Sequence, residues 1–190
     1  AIKPKIIYCG AKVMYLSIPK FHIRFVDSFS FLPMALSKLP KTFSLLEQCK
    51  GFFPHLLNTW ENQKFSEKVL PPPKFYCYET MMHSDKKRFD EWYFNNRMKP
   101  FNLKEELVRY CRSDVDILRK ACTEFRRIFM EITANLKKDE YSEGCSHSGI
   151  DPFVTCITIA SACSLVFRSQ FLKESTIAVV PPYQAHDTHS

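Results

Sequence analysis

One apolar stripe constrains this chain more than any other feature. Leu103, Leu107, Tyr110 and Cys111, Asp114, Ile117 and Leu118, Ala121, Phe125, Ile128 and Phe129, and Ile132 recur at three- and four-residue steps, the spacing of one face of an α-helix. Asn102 precedes the run as a candidate cap, with Glu105 at the third position, so the pattern predicts a helix from Leu103 to about Ile132. Asp114 falls inside the stripe. On the opposite face Asp116 lies four residues from both Arg112 and Lys120, where ion pairs form. Asp114 has no such neighbour in sequence, and a carboxylate facing a core is costly unless it is protonated, finds donors or binds a cation. Tyr110, one turn earlier, puts a phenol within reach of whatever Asp114 holds. At the level of residues two readings stand: a functional pair, or a protonated or backbone-bonded aspartate beside a core aromatic.

With 190 residues, 45% of them hydrophobic and 14% aromatic, the chain has enough apolar material for a packed domain plus an extension. The net charge of +7 favours an anionic partner but is spread along the chain. Eight cysteines without a Cys-x-x-Cys pair read as reduced, intracellular residues. Cys145-x-His147 is the nearest approach to zinc-ligand spacing and lacks a second pair. The longest apolar run, Phe153 to Phe167, is interrupted by Thr155, Thr158, Ser161 and Ser164 and is too short to cross a bilayer. With only four glycines, a glycine-rich phosphate loop is excluded.

Two β-rich runs, broken at Gly10-Ala11-Lys12, and the alternating run from Phe21 to Val26 predict a hairpin followed by a third strand. That strand delivers Asp27-Ser28-Phe29-Ser30-Phe31-Leu32, where Ser28 is either a helix cap over core Phe29 and Leu32 or a functional side chain at a strand end. Residues 33–47 read as a short helix with Met34, Leu36, Leu39, Phe43 and Leu46 inward, interrupted at Pro40. Lys50 precedes Gly51 in a turn, ordinarily a solvated charge. Residues 58–101 are irregular, and their interleaved aromatics and bases fit either a grip on a single strand or an amphipathic helix at 85–96 covering the core; for most of the aromatics packing is the preferred reading. A polar run from Lys137 to Gly149 separates this from a second helix, capped by Asp151 with Pro152 in its first turn and apolar nearly all round from Phe153 to Cys163. Ile177 to Val180 reads as a short strand.

Tyr110-x-x-x-Asp114, inside Tyr-Cys-Arg-Ser-Asp-Val-Asp-Ile-Leu, resembles the third exonuclease motif of family B DNA polymerases, especially the protein-primed branch that includes Maverick/Polinton transposon and viral enzymes. Ser28-Phe29-x-x-Leu32 is similar to that branch's single-strand-binding motif, with Phe in place of Leu, and Lys50-x-x-Phe53 to its lysine motif beside the scissile phosphate. The Thr158-Ile159-Ala160-Ser161 segment resembles one on the helix that joins exonuclease to polymerase in Maverick-type enzymes.

The resemblance implies an α/β, ribonuclease H-like 3′–5′ exonuclease domain, incomplete, over residues 1–143. A linker at 144–150 follows, then a buried helix leading to the polymerase palm at 151–190. It implies that Asp114 binds Mg²⁺ or Mn²⁺ in a two-metal site, that Tyr110 orients the attacking water and that Lys50 stabilises the phosphate. It implies that Ser28 and Phe29 hold a single-stranded primer terminus and that the full-length polymerase binds DNA and nucleotide in DNA replication, with a terminal protein as possible primer and the nucleus as compartment for a eukaryotic transposon. The family's Asp-x-Glu motif is missing. It and the second motif are expected before Ala1, and the polymerase aspartates after Ser190, so the chain alone is expected to be inactive. The alternative is a non-catalytic DNA-binding or interaction module derived from such a polymerase.

Overall fold

The computed structural model describes residues 3–45, 51–136, 149–173 and 176. In chain order the strands are β1 (Lys5–Cys9), β2 (Lys12–Ile18), β3 (Ile23–Val26), β4 (Ser66–Glu67) and β5 (Phe101–Asn102), and the helices α1 (Leu39–Thr42), α2 (His83–Asn96), α3 (Leu103–Asn135), α4 (Pro152–Thr155) and α5 (Ile159–Val166). The fold class is mixed α and β. By packing, the chain forms two compact units: Ala1–Pro33 with Phe125–Ser190, and Met34–Glu124. Residues 103–124 of α3 belong to the second unit and residues 125–135 to the first.

In the first unit β1, β2 and β3 form an antiparallel meander, as the alternation predicts. Gly10 turns the hairpin with φ +60°, a conformation that costs residues with a Cβ more than glycine. The register slips between Ile7 and Tyr8, where Met14 of β2 is the extra residue of a bulge. One end of this unit is closed by three rings: Phe31 lies edge-on to Phe153 at 4.8 Å and 6.3 Å from Phe125. Arg126 bonds Asp151 at 2.6 Å, and Asp151 also accepts from the Phe153 amide. Thr133, buried on α3, accepts a hydrogen bond from the Ile150 amide at 2.8 Å.

The second unit is built around Phe53, Leu57, Leu70, Phe101 and Leu103, all buried, with Phe65, Phe75, Trp92, Tyr93, Leu107 and Tyr110 packed against them. Strands β4 and β5 pair Ser66 with Asn102 and Glu67 with Phe101. The Asn102 side chain accepts from the Glu105 amide at 3.1 Å, the cap the sequence indicates.

Four expectations need correction. The helix at 33–47 is a 3₁₀ turn (Leu36–Lys38) running into α1, because Pro40 is tolerated only in a first turn; Leu46 and Glu47 lie outside the described residues. Ser28 is not the cap of the turn at 28–30; Asp27 is, accepting from the Phe29 amide. The apolar helix at 151–163 is two helices, broken where Cys156 is extended and Thr158 caps α5 in a reciprocal box with Ser161. It is only partly buried, since Val154 and Cys163 are exposed. At the far end of α3, Ile132 is exposed and Thr133 is buried in its stead. The expected linker, apart from Gly149 and Ile150, and the strand at 177–180 lie outside the described residues.

Candidate functional site

The α3 register puts Leu107, Tyr110, Asp114, Ile117 and Ala121 inward, with Ile117 and Ala121 fully buried. Asp116 takes the solvent side, bonding Arg119 at 2.6 Å and Lys120 at 3.0 Å. Asp114 and Tyr110 are both half-buried and one turn apart. Oδ1 of Asp114 is shut off from solvent, and the carboxylate is not left without a partner, as its position in an apolar stripe demands.

Tyr110 is held by a second motif. The buried Phe53 ring stacks on it at 5.2 Å with an interplanar angle of 28°, and His55 meets it edge-on at 5.5 Å. Lys50-x-x-Phe53 and Tyr110-x-x-x-Asp114 therefore converge through Phe53 and Tyr110, although nearly sixty residues separate them in sequence. Lys50 itself lies outside the described residues.

Ser28 and Phe29 belong to the other unit. The turn that carries them follows β3 and is fixed by Asp27, which accepts from the Phe29 amide at 3.1 Å and pairs with Lys12 Nζ at 2.5 Å. The Lys12 ammonium, first, and then the amide and Ser30 hold the Asp27 carboxyl below its ordinary range. Phe29 is 55% exposed, with Lys12 Nζ 5.4 Å from its ring centre. Ser28 is half-buried, while Phe31 and Leu32 fill the core.

Beside Tyr110 opens a cleft of about 390 Å³ that the aromatic spacing alone does not reveal. Trp92 and Asn96, one turn apart on α2, line it together with Phe52, Lys99 and, from α3, Arg109 and Tyr110. The sequence signal was present in the interleaved aromatics and bases of residues 75–101, but a packing role fitted it equally well, and for Phe89, fully buried, packing is what the fold shows. Among the described residues no three His, Cys, Asp or Glu side chains gather where they could hold a metal ion, so those residues by themselves do not fit a two-metal centre. No helix among them is long and apolar enough to cross a membrane.

A family model described as DNA polymerase type B, organellar and viral, matches residues 3–188. No curated protein and no solved structure matches the chain.

Proposed function

The chain belongs to the organellar and viral type B DNA polymerases, and on that premise we propose that it is the later part of a ribonuclease H-like 3′–5′ proofreading exonuclease domain with its connection to the palm. The observation that carries this reading is the Phe53 ring stacked on Tyr110, one turn from Asp114, which joins two motifs of the resemblance at one place. In this role Tyr110 orients the water that attacks the terminal phosphodiester, and the packing of Phe53 and His55 fixes the phenol's direction. Lys50 offsets charge on the phosphate oxygens. Phe29, exposed beside Lys12, stacks on a base near the primer terminus, and Ser28 contacts its backbone. DNA is the partner that family membership implies; a terminal-protein primer and a nuclear transposon origin are further parts of the proposal.

Asp114 would supply one carboxylate ligand for Mg²⁺ or Mn²⁺. Among the described residues no cluster completes the ligand set; in this reading further segments of the polymerase supply it, and the 190-residue chain by itself is expected to be inactive. The test uses a longer chain that includes upstream Asp-x-Glu and second motifs, and measures degradation of single-stranded DNA with and without divalent ions. Asp114→Ala is expected to lower the rate at least about a hundredfold with folding retained. A folded longer chain that binds DNA and degrades none of it would instead support a non-catalytic binding module.

A further inference from the structure

Three local irregularities of the first unit border one pocket. The first is the bulge that places Met14 as an extra residue in β2. The second is the break between α4 and α5, where Cys156 is extended and Thr158 restarts the helix. The third is a π-helical turn, Phe167–Phe171, that carries Arg168. Each forgoes regular backbone hydrogen bonding, and bulges and π-turns concentrate at functional sites. Met14, Cys156, Thr158 and Arg168 all line a cavity of about 370 Å³, within the size range of ligand pockets. Ile7, Ile157 and Leu165 add apolar wall. The hydroxyls at its border are already committed. Thr155 Oγ1 donates to the Asp151 carbonyl at 2.7 Å, and Ser161 Oγ donates to the Thr158 carbonyl at 2.8 Å while accepting from the Thr158 amide. Arg168 is exposed, and no carboxylate among the described residues pairs with it, so its guanidinium keeps its donors for an anion. Apolar walls with one unpaired cation at the mouth are complementary to an apolar body that ends in a negative charge.

We propose that this pocket binds a small amphiphilic anion, its apolar body against Ile157 and Leu165 and its carboxylate or comparable oxyanion at Arg168. The Thr158 and Ser161 box, in a segment that packing of a continuous helix leaves unexplained, thereby acquires a role: by restarting the helix it holds one wall of the pocket in place. Neither Phe29 nor the residues around Tyr110 line the site, so it stands or falls apart from the exonuclease reading.

The probe is anilinonaphthalene sulfonate, an apolar body with one negative charge, whose emission is followed as it is titrated into the full chain at neutral pH. Saturable binding is expected, with displacement by octanoate. Octanol lacks the charge and acetate lacks the tail, and each is expected to compete at least about tenfold less well. Arg168→Gln is expected to weaken octanoate about tenfold and leave octanol unchanged, and Leu165→Trp to remove the site by filling it. Cys163→Trp is the control, because Cys163 lines a separate apolar groove with Phe129 and Phe167; filling that groove is expected to leave displacement by octanoate intact. Circular dichroism checks the folding of each variant, and if Leu165→Trp does not fold, Arg168→Gln and the comparison of octanoate with octanol decide. Folded protein from which octanoate displaces no probe overturns the proposal, as does displacement that Arg168→Gln leaves unchanged. Displacement lost in Cys163→Trp but kept in Leu165→Trp overturns it too, since the groove would then be the site.

Discussion

Tyr76 shows what a single buried atom contributes in this fold. The side chain is 3% exposed, lies 5.1 Å from the Phe89 ring centre and 5.7 Å from that of Trp92, and its hydroxyl has no hydrogen-bond partner among the described residues. Burial, then the nearby Tyr93 and Glu106, push its ionisation far above the usual phenol range. An unpartnered buried hydroxyl is destabilising, so Tyr76→Phe should stabilise the chain by about 1 kcal/mol, read as a higher urea midpoint at unchanged slope. Asp27 is the opposite case, a carboxylate with more partners than the unfolded chain offers. Its folded value lies below the ordinary 3.8, so its contribution is fully present above that value and disappears as pH falls through the lowered one. The stability difference between the wild type and Asp27→Asn should therefore be constant near neutrality and shrink between about pH 5 and pH 2, which urea titrations across that window measure. A gap that stays constant through the window would remove the Lys12 pair from the account. Asp27 and Ser28 both suit the cap by residue type, and the backbone, which places Asp27 before the first turn, decides between them.

Among the elements, α3 was legible over most of its length, failing at Cys111 and Ile132, which are exposed, and the segment after Asp151 was not. Thirty-three residues of α3 hold one inward face, and three- and four-residue recurrence over so many turns has no competing explanation. The later segment carries five β-branched residues, Val154, Thr155, Ile157, Thr158 and Ile159, interrupted only by Cys156, and their stiff side chains weaken helix propensity. There the Thr158 and Ser161 box offers the backbone a fresh start, and the chain takes it. Gly149 marks how closely α3 is approached by the chain that returns to it: a Cβ there would lie 1.8 Å from the Met130 carbonyl oxygen. Backbone cannot withdraw as the tip of a side chain can, so Gly149→Ala should cost about 1–3 kcal/mol. It should also weaken the Ile150 amide bond to Thr133, seen as faster hydrogen exchange at that amide. Unchanged thermal stability in this variant would mean that residues 149–150 are held elsewhere.

At the level of the whole molecule, two compact units share one helix, and the sequence motifs divide between them. Ser28 and Phe29 sit after the meander of the first unit; Phe53, Tyr110 and Asp114 sit in the second. What the sequence determined by itself was local and periodic: the meander from alternation, α3 from its stripe, the Asn102 and Asp151 caps, and the motif wording that led to the polymerase family. These are features in which each residue's neighbours in sequence are also its neighbours in space, so spacing is enough to read them. Tertiary structure alone decided the rest. Phe53 reaches Tyr110, and Trp92, Asn96 and Arg109 line one cleft; Thr133 is buried where Ile132 is not. Each depends on packing between segments distant in sequence, where rotation of a helix by a few tens of degrees, or the path of a loop, chooses among arrangements that the linear pattern leaves equivalent.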